Sequence, residues 1–196
     1  FESLDVATIV KAAHAIAETV ELEPLLERLL QIAIENAGAR RGLLIEENSD
    51  GVLQIVAEGR SDGSPVTLMH GASLLDEPAR CPRAVVDYVW RTRASLVLGD
   101  ACEDERFARD AYVTATRLKS VLCLPIVHQG EVSAILYLEN DLARDAFSPQ
   151  RIELIQILMA QGSISLANAR LAHRMREEMG ERQRAEDTLR AIEAAT

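Results

Sequence analysis

The sequence predicts an α+β domain: a central antiparallel sheet of about six short strands, with helices at both ends of the chain. Three observations predict it. Apolar runs of strand length, rich in Val, Ile and Leu, recur between Gly42 and Glu139. Short Gly-, Asp- and Asn-containing turns separate them in pairs, which is the hairpin signal. Long helix-period runs lie before Gly38 and after Pro149, so strands and helices are grouped rather than alternating.

The elements follow in order. Val6, Ile9, Ala13, Ile16 and Val20 recur at steps of three and four, which puts them on one face of a helix. A second helix runs from Glu23 to about Ala37, with Leu25, Leu26, Leu29, Leu30, Ile32 and Ala33 as its apolar side and Gly38 as its C-terminal cap. Strands Gly42–Glu46 and Val52–Glu58 are linked across Asn48–Ser49–Asp50–Gly51, whose Asp–Gly pair is the strongest turn dipeptide in the chain. Pro65–Met69 is a weaker strand. Gly59 to Pro82 holds three glycines and three prolines without periodicity, and otherwise reads as loop.

Pro82 opens a helix to about Arg91, with Val85, Val86, Val89 and Trp90 on one face. Ser95–Leu98 is a short strand, and the polar segment Ala101–Lys119 looks helical only around Phe107–Thr114. The two best strands, Ser120–Val127 and Val132–Glu139, flank the turn His128–Gln129–Gly130–Glu131. Pro125 cannot donate to a ladder and marks an edge, bulge or strand end. Ser148 is an N-cap and Pro149 a first helical residue, so the last helix starts there.

At 196 residues the chain suits one domain with extensions, or two very small ones. Acidic residues outnumber basic ones 31 to 21, and a net charge of −10 disfavours nucleic acid and anionic membrane surfaces as partners. Three cysteines, Cys81, Cys102 and Cys123, have no C-x-x-C spacing and suit a reducing cytoplasm better than a disulfide framework or a structural zinc site. No run approaches the ~18 apolar residues that span a bilayer. The chain opens on Phe1 and ends inside a helical pattern, as a piece of a longer polypeptide would.

The hairpin SVLCLPIVHQGEVSAILYLEN and the following AFSPQRIELIQILMAQGSISLANARL resemble the closing half of a GAF domain, the small-molecule sensing module of signalling proteins. The likeness is greatest to GAF modules of large bacterial sensor kinases and covers about Leu22 to Leu171. It divides the chain into a linker helix (1–21), a sensor domain (22–172) and a charged signalling helix (173–196). The resemblance implies terminal helices on one face of the sheet and a ligand pocket on the other, covered by residues of about 70 to 120. Asp100–Ala101–Cys102–Glu103–Asp104–Glu105–Arg106–Phe107 matches the D-A-x-x-D-x-R-F loop of such domains. Trp90, Asp100, Cys102, Arg106, Tyr112, Ser120 and Cys123 are the expected pocket residues. Arg106 has a second reading, as a loop brace paired with Asp104 or Glu105.

Departures from the family narrow the ligand. Cys102 lacks the following aromatic and the later Cys–His pair of bilin-binding relatives. Asn140 and Phe147 fit the cyclic-nucleotide pattern, but Asp141, Arg151 and Ile152 replace its Lys and acidic pair. His70 is the one histidine worth testing as a haem or metal ligand; the cofactor itself is unknown. Cys81, Cys102 and Cys123 do not match the spacing of the GAF-fold free methionine sulfoxide reductases.

After Pro149 the last helix carries two apolar stripes. One is Ile152, Ile155, Met159, Gly162, Leu166 and Ala169; the other is Leu154, Ile157, Gln161, Ile164, Leu171 and Met175. A surface helix ordinarily has one, so the second requires the N-terminal helix or a second subunit. Leu171, Met175, Leu189 and Ile192 share a heptad register that Glu178 and Arg182 weaken. The sequence thus points to a non-catalytic cytoplasmic sensor. It would bind a small molecule, pair as a homodimer through its terminal helices, and signal to a covalently linked output domain such as a histidine kinase. The alternatives are a ligand-free dimerisation module and a reductase-like redox enzyme.

Overall fold

The computed structural model describes Ala13, Ile16, residues 21–74 and residues 80–194; the side chains of residues 70–72, 185–189 and 191–194 lie outside that description. Of the N-terminal helical pattern, Ala13 and Ile16 are helical and Ile16 is fully buried, while Val6, Ile9 and Val20 fall outside the described residues.

Helix α1 (Leu22–Ala37) ends on Gly38, whose left-handed φ of 69° lets its N–H reach the Ile34 carbonyl. Strands β1 (Arg41–Glu47), β2 (Leu53–Arg60) and β3 (Thr67–Ser73) follow. The third strand corrects the sequence reading: it starts two residues after Pro65 and runs through His70–Gly71–Ala72. Pairing with β2 supplies the regularity that local composition withholds. Helix α2 (Arg83–Thr92) and the three-residue strand β4 (Leu96–Leu98) come next. The short helix α3 is Ala111–Thr116, capped by Asp110, whose carboxylate accepts from the Tyr112 and Val113 N–H groups.

Strands β5 (Ser120–His128) and β6 (Glu131–Asn140) form the expected hairpin. Its turn residues Gln129 and Gly130 both have positive φ, 51° and 84°, the two-residue geometry that matches strand twist. Helix α4 (Pro149–Ala194) runs for 46 residues, about 70 Å at ~1.5 Å per residue. Ser148 caps it, its Oγ accepting from the Arg151 N–H at 3.4 Å.

The sheet is antiparallel throughout, in the order β3-β2-β1-β6-β5-β4, so β1 and β6 lie at its centre. One face packs on α1, Ile16 and the first half of α4. Leu25, Leu29, Leu30, Leu44, Leu122, Leu136, Leu138, Ile155, Leu158 and Leu166 form that core. A Cβ on Gly162 would come within 2.5 Å of the Leu29 side chain, so glycine there allows α4 to close onto α1.

Of the two apolar stripes on α4, the one containing Ile155, Met159, Gly162, Leu166 and Ala169 is buried against α1 and the sheet. The other leaves Ile157, Ile164, Leu171 and Met175 between 45% and 55% exposed.

Candidate functional site

The second face of the sheet carries α2, α3 and the connections between them. Strand alternation sends Leu43, Ile45, Ile55, Val121, Cys123, Ile135 and Tyr137 to this side. Val85, Val86 and Val89 of α2, Val113 of α3, and Phe107 and Leu118 from the linking chain pack onto them. Side chains therefore fill the centre of this face, and the open space lies at its margins.

A first hollow of about 410 Å³ lies between the β1–β2 turn and α2. Glu47, Val52, Leu53 and Leu74 form one wall; Arg83, Asp87, Trp90 and Arg91 form the other. On α2, Arg83 donates to the Asp87 carboxylate at 3.3 Å and Arg91 Nε donates to the Asp87 carbonyl at 3.2 Å. The wall thus offers two guanidiniums against one helix carboxylate, beside an indole that is half-buried. A second hollow, also about 410 Å³, lies at the other end of β2, lined by Glu58, Gly59, Arg60, Ser64, Pro65, Thr67, Met69 and Arg80.

Beside the second hollow sits a charged network that sequence reasoning missed. Arg41 stands directly opposite Glu139 across β1 and β6, and Glu58 is opposite Leu43, two residues along. Arg41 Nε donates to Glu58 Oε1 at 2.8 Å; its Nη1 lies 3.1 Å from Glu139 Oε1, 2.8 Å from the Tyr112 hydroxyl and 2.7 Å from the Arg80 carbonyl. The Tyr112 and Tyr137 hydroxyls donate to Glu139 at 2.8 and 2.7 Å. Arg80 Nη1 reaches the other Glu58 oxygen at 3.0 Å, and Arg60 Nη2 the first at 3.4 Å.

Burial alone would lower the Arg41 guanidinium and raise the Glu58 carboxyl. The pairing outweighs it, holding Arg41 above and Glu58 below their ordinary values. Burial, reinforced by the Glu139 carboxylate, pushes the Tyr112 and Tyr137 phenols up. The network ties β1, β2, β6, α3 and the chain entering α2 to one guanidinium.

The seven residues expected from the sequence do not line one cavity. Trp90 lines the first hollow. Tyr112 belongs to the charged network, and Cys123 is fully buried opposite Tyr137. Cys102 packs at the edge of the same cluster, its thiol donating to the Leu118 carbonyl at 3.2 Å. Asp100 accepts from the Cys102 N–H at 3.0 Å and pairs with Arg144 at 2.5 Å. Ser120 is buried; its one hydroxyl hydrogen has the Ala143 carbonyl at 2.8 Å and the Gly99 carbonyl at 3.1 Å as acceptors, and its oxygen accepts from the Ala146 N–H. Asp100 and Ser120 therefore brace the loops around Gly99, and Asp100 also lines a separate hollow of about 400 Å³ there.

Arg106 is exposed and forks onto Asp104 at 3.1 and 2.9 Å, the loop-bracing alternative of the sequence reading. Arg41, Glu58 and Glu139 were hidden because each reads locally as an ordinary polar strand residue. Only the register across three strands brings them together. His70 lies in β3 with its side chain outside the description, and the described residues contain no cluster of three or more His, Cys, Asp or Glu fit for a metal ion.

A third arrangement joins this face to the exit helix. Ser133 stands at the β5–β6 register shift, and its carbonyl accepts from Arg170 Nη2 at 3.2 Å. The same Nη2 forms an ion pair with Glu46 of β1, both side chains being less than a quarter exposed. Glu46 immediately precedes Glu47 of the first hollow. The helix is thus fastened to the strand that walls the hollow, at the point where it leaves the sheet.

By architecture this is an α+β domain with its terminal helices packed together on one face of a six-stranded sheet. The family model described as "GAF domain" matches residues 21–166, and the chain belongs to that family. It is 41% identical over 88 residues, 45% of its length, to hybrid signal transduction histidine kinase G of Dictyostelium discoideum. It is 23% identical over 175 residues, 89% of its length, to the peroxide stress-activated histidine kinase mak3 of Schizosaccharomyces pombe. The matches span 3% and 7% of those proteins.

Among solved structures, the GAF domain of an Acinetobacter phosphoenolpyruvate-protein phosphotransferase superposes with a TM-score of 0.66 at 17% identity. That match covers 87% of this chain and 97% of that one. A free methionine-R-sulfoxide reductase from Neisseria meningitidis superposes with a TM-score of 0.59 at 12% identity, covering 84% and 89%. Both show a shared fold. Among the described residues, no helix is long and apolar enough to cross a membrane.

Proposed function

We propose that the chain is a non-catalytic, cytoplasmic small-molecule sensor within a signal-transduction protein, with its ligand in the first hollow between α2 and the β1–β2 turn. The observation that carries this reading is the continuity from that hollow through Glu47 and Glu46 to Arg170 on α4. A ligand bound between β1 and α2 favours one position of β1, and the Glu46–Arg170 pair passes that preference to the helix. Its effect is limited to its difference in affinity between the two positions. The histidine-kinase relatives support an output domain beyond α4.

The exposed stripe of Ile157, Ile164, Leu171 and Met175 supports a homodimer through paired α4 helices. The free cysteines suit a reducing compartment. A reductase reading is disfavoured at two of the three thiols. Burial pushes Cys81 up to about 12 and Cys123 well above its ordinary value, away from the thiolate that redox chemistry needs.

Trp90 is the only tryptophan and lines the hollow, so its emission reports occupancy directly. Titration with fractions of a cell metabolite extract is expected to give a saturable emission change that R83A and R91A weaken. Emission that no fraction alters would overturn the assignment.

A further inference from the structure

We propose that the second hollow is a separate binding site for a small monocarboxylate with a short apolar body. This inference does not depend on the first hollow being the sensory site. It starts from the charge count around Glu58. Arg41, Arg60 and Arg80 pair with Glu58 and Glu139. Exposed Asp62, which does not line the hollow, also interacts with Arg60. Of the charges that line the cavity itself, two guanidiniums, Arg60 and Arg80, face one carboxylate, Glu58. The surplus is local, since the chain as a whole carries −10.

The inner members are committed to one another, with Arg41 and Glu139 side chains each 8% exposed. The outer members are not. Arg60 and Arg80 are 56% and 45% exposed, and each approaches Glu58 through one nitrogen. A guanidinium has five N–H donors, so two rim arginines sharing one carboxylate oxygen pair keep donors to spare. Both line the hollow, and a carboxylate between them would gain charge-assisted bonds without breaking the buried pair.

The remaining walls set the rest of the ligand. Pro65 and Met69 present apolar surface, and Thr67 lines the same space. About 410 Å³ lies within the ~300–1,000 Å³ typical of small-molecule sites. A dianion is disfavoured because its second charge would have no free cation and would face Glu58. An ammonium ligand is disfavoured because it would have to displace an arginine to reach Glu58.

The test uses three probes that differ only in their head group: hexanoate, 1-hexanol and hexylammonium. Met69 is one of four methionines, so its methyl resonance in the full chain, labelled at methionine methyl groups, reports this hollow. Hexanoate at up to about 10 mM is expected to shift it saturably, while the alcohol and the amine do not. R60Q and R80Q should each weaken the effect about tenfold, the scale of one charge-assisted bond, with the melting temperature lowered only slightly, as for loss of a half-exposed ion pair.

Trp90 emission should stay still throughout, which separates this site from the first hollow. A Met69 signal unmoved by hexanoate, or moved equally by hexylammonium or hexanol, would overturn the proposal. So would a hexanoate response that survives in the R60Q/R80Q double variant.

Discussion

The two faces of this sheet are built from the same strands and solve different problems. On the helix side, the buried cluster between α1, α4 and the strands is apolar apart from Ser163 and Ser165 on α4, and the helices approach closely enough to need Gly162 opposite Leu29. On the other side an apolar centre of similar character is bordered by a buried guanidinium, two carboxylates, two tyrosines and two hollows. Apolar burial is non-directional and tolerates no vacancy; a charged network is directional and can exchange partners at its rim. The first face holds the domain and its exit helix together, and the second carries the buried charges and the hollows.

Breaking each face should therefore produce different signatures. The largest loss is expected from Arg41→Ala, which leaves Glu58 and Glu139 buried without their shared cation and should cost about 3–5 kcal/mol in urea unfolding. Because the same side chain holds the Arg80 carbonyl and Tyr112, hydrogen exchange should rise around α3 and the start of α2. Leu29→Ala should cost about 2–5 kcal/mol, as a cavity in a tightly packed core, and should leave Trp90 emission unchanged. Tyr112→Phe removes one hydroxyl donor to Glu139 and is expected to cost about 1.5–3 kcal/mol.

The acid limb sharpens the comparison. Glu58 has a folded-state pKa below its ordinary 4.5, so its stabilising contribution is fully present above that value. It is lost as pH falls through the lower, folded-state value. Glu58→Gln should flatten the drop in stability below pH 4.5, whereas Leu29→Ala should shift the whole profile down without changing its shape. The smallest effect belongs to Arg106→Ala: its fork onto Asp104 is half-exposed, so about 0–1 kcal/mol is expected.

What could be read from the chain follows the same division. Apolar periodicity and turn chemistry placed α1, the β5–β6 hairpin and the start of α4 within a residue or two, because those signals are local. Strand β3 was cut short, because its continuation through His70–Gly71–Ala72 depends on pairing with β2.

The site was less legible for a related reason. Trp90 and Tyr112 were picked out because aromatics on short amphipathic segments stand out; the first lines a hollow and the second joins the charged network. Arg41, Glu58 and Glu139 lie at least 17 residues apart along the chain and meet only through strand register. Asp100 and Arg106 matched a family loop, and their side chains, with that of Ser120 at the start of β5, go to bracing the loops there.

The most direct test of the sensory account compares hydrogen exchange of the full chain with and without the metabolite that moves Trp90. The account predicts protection at α2 and the β1–β2 turn together with a change in α4 around Arg170, and Glu46→Gln should abolish only the helix response. Protection at the hollow with α4 unaltered in the unmutated protein would contradict it.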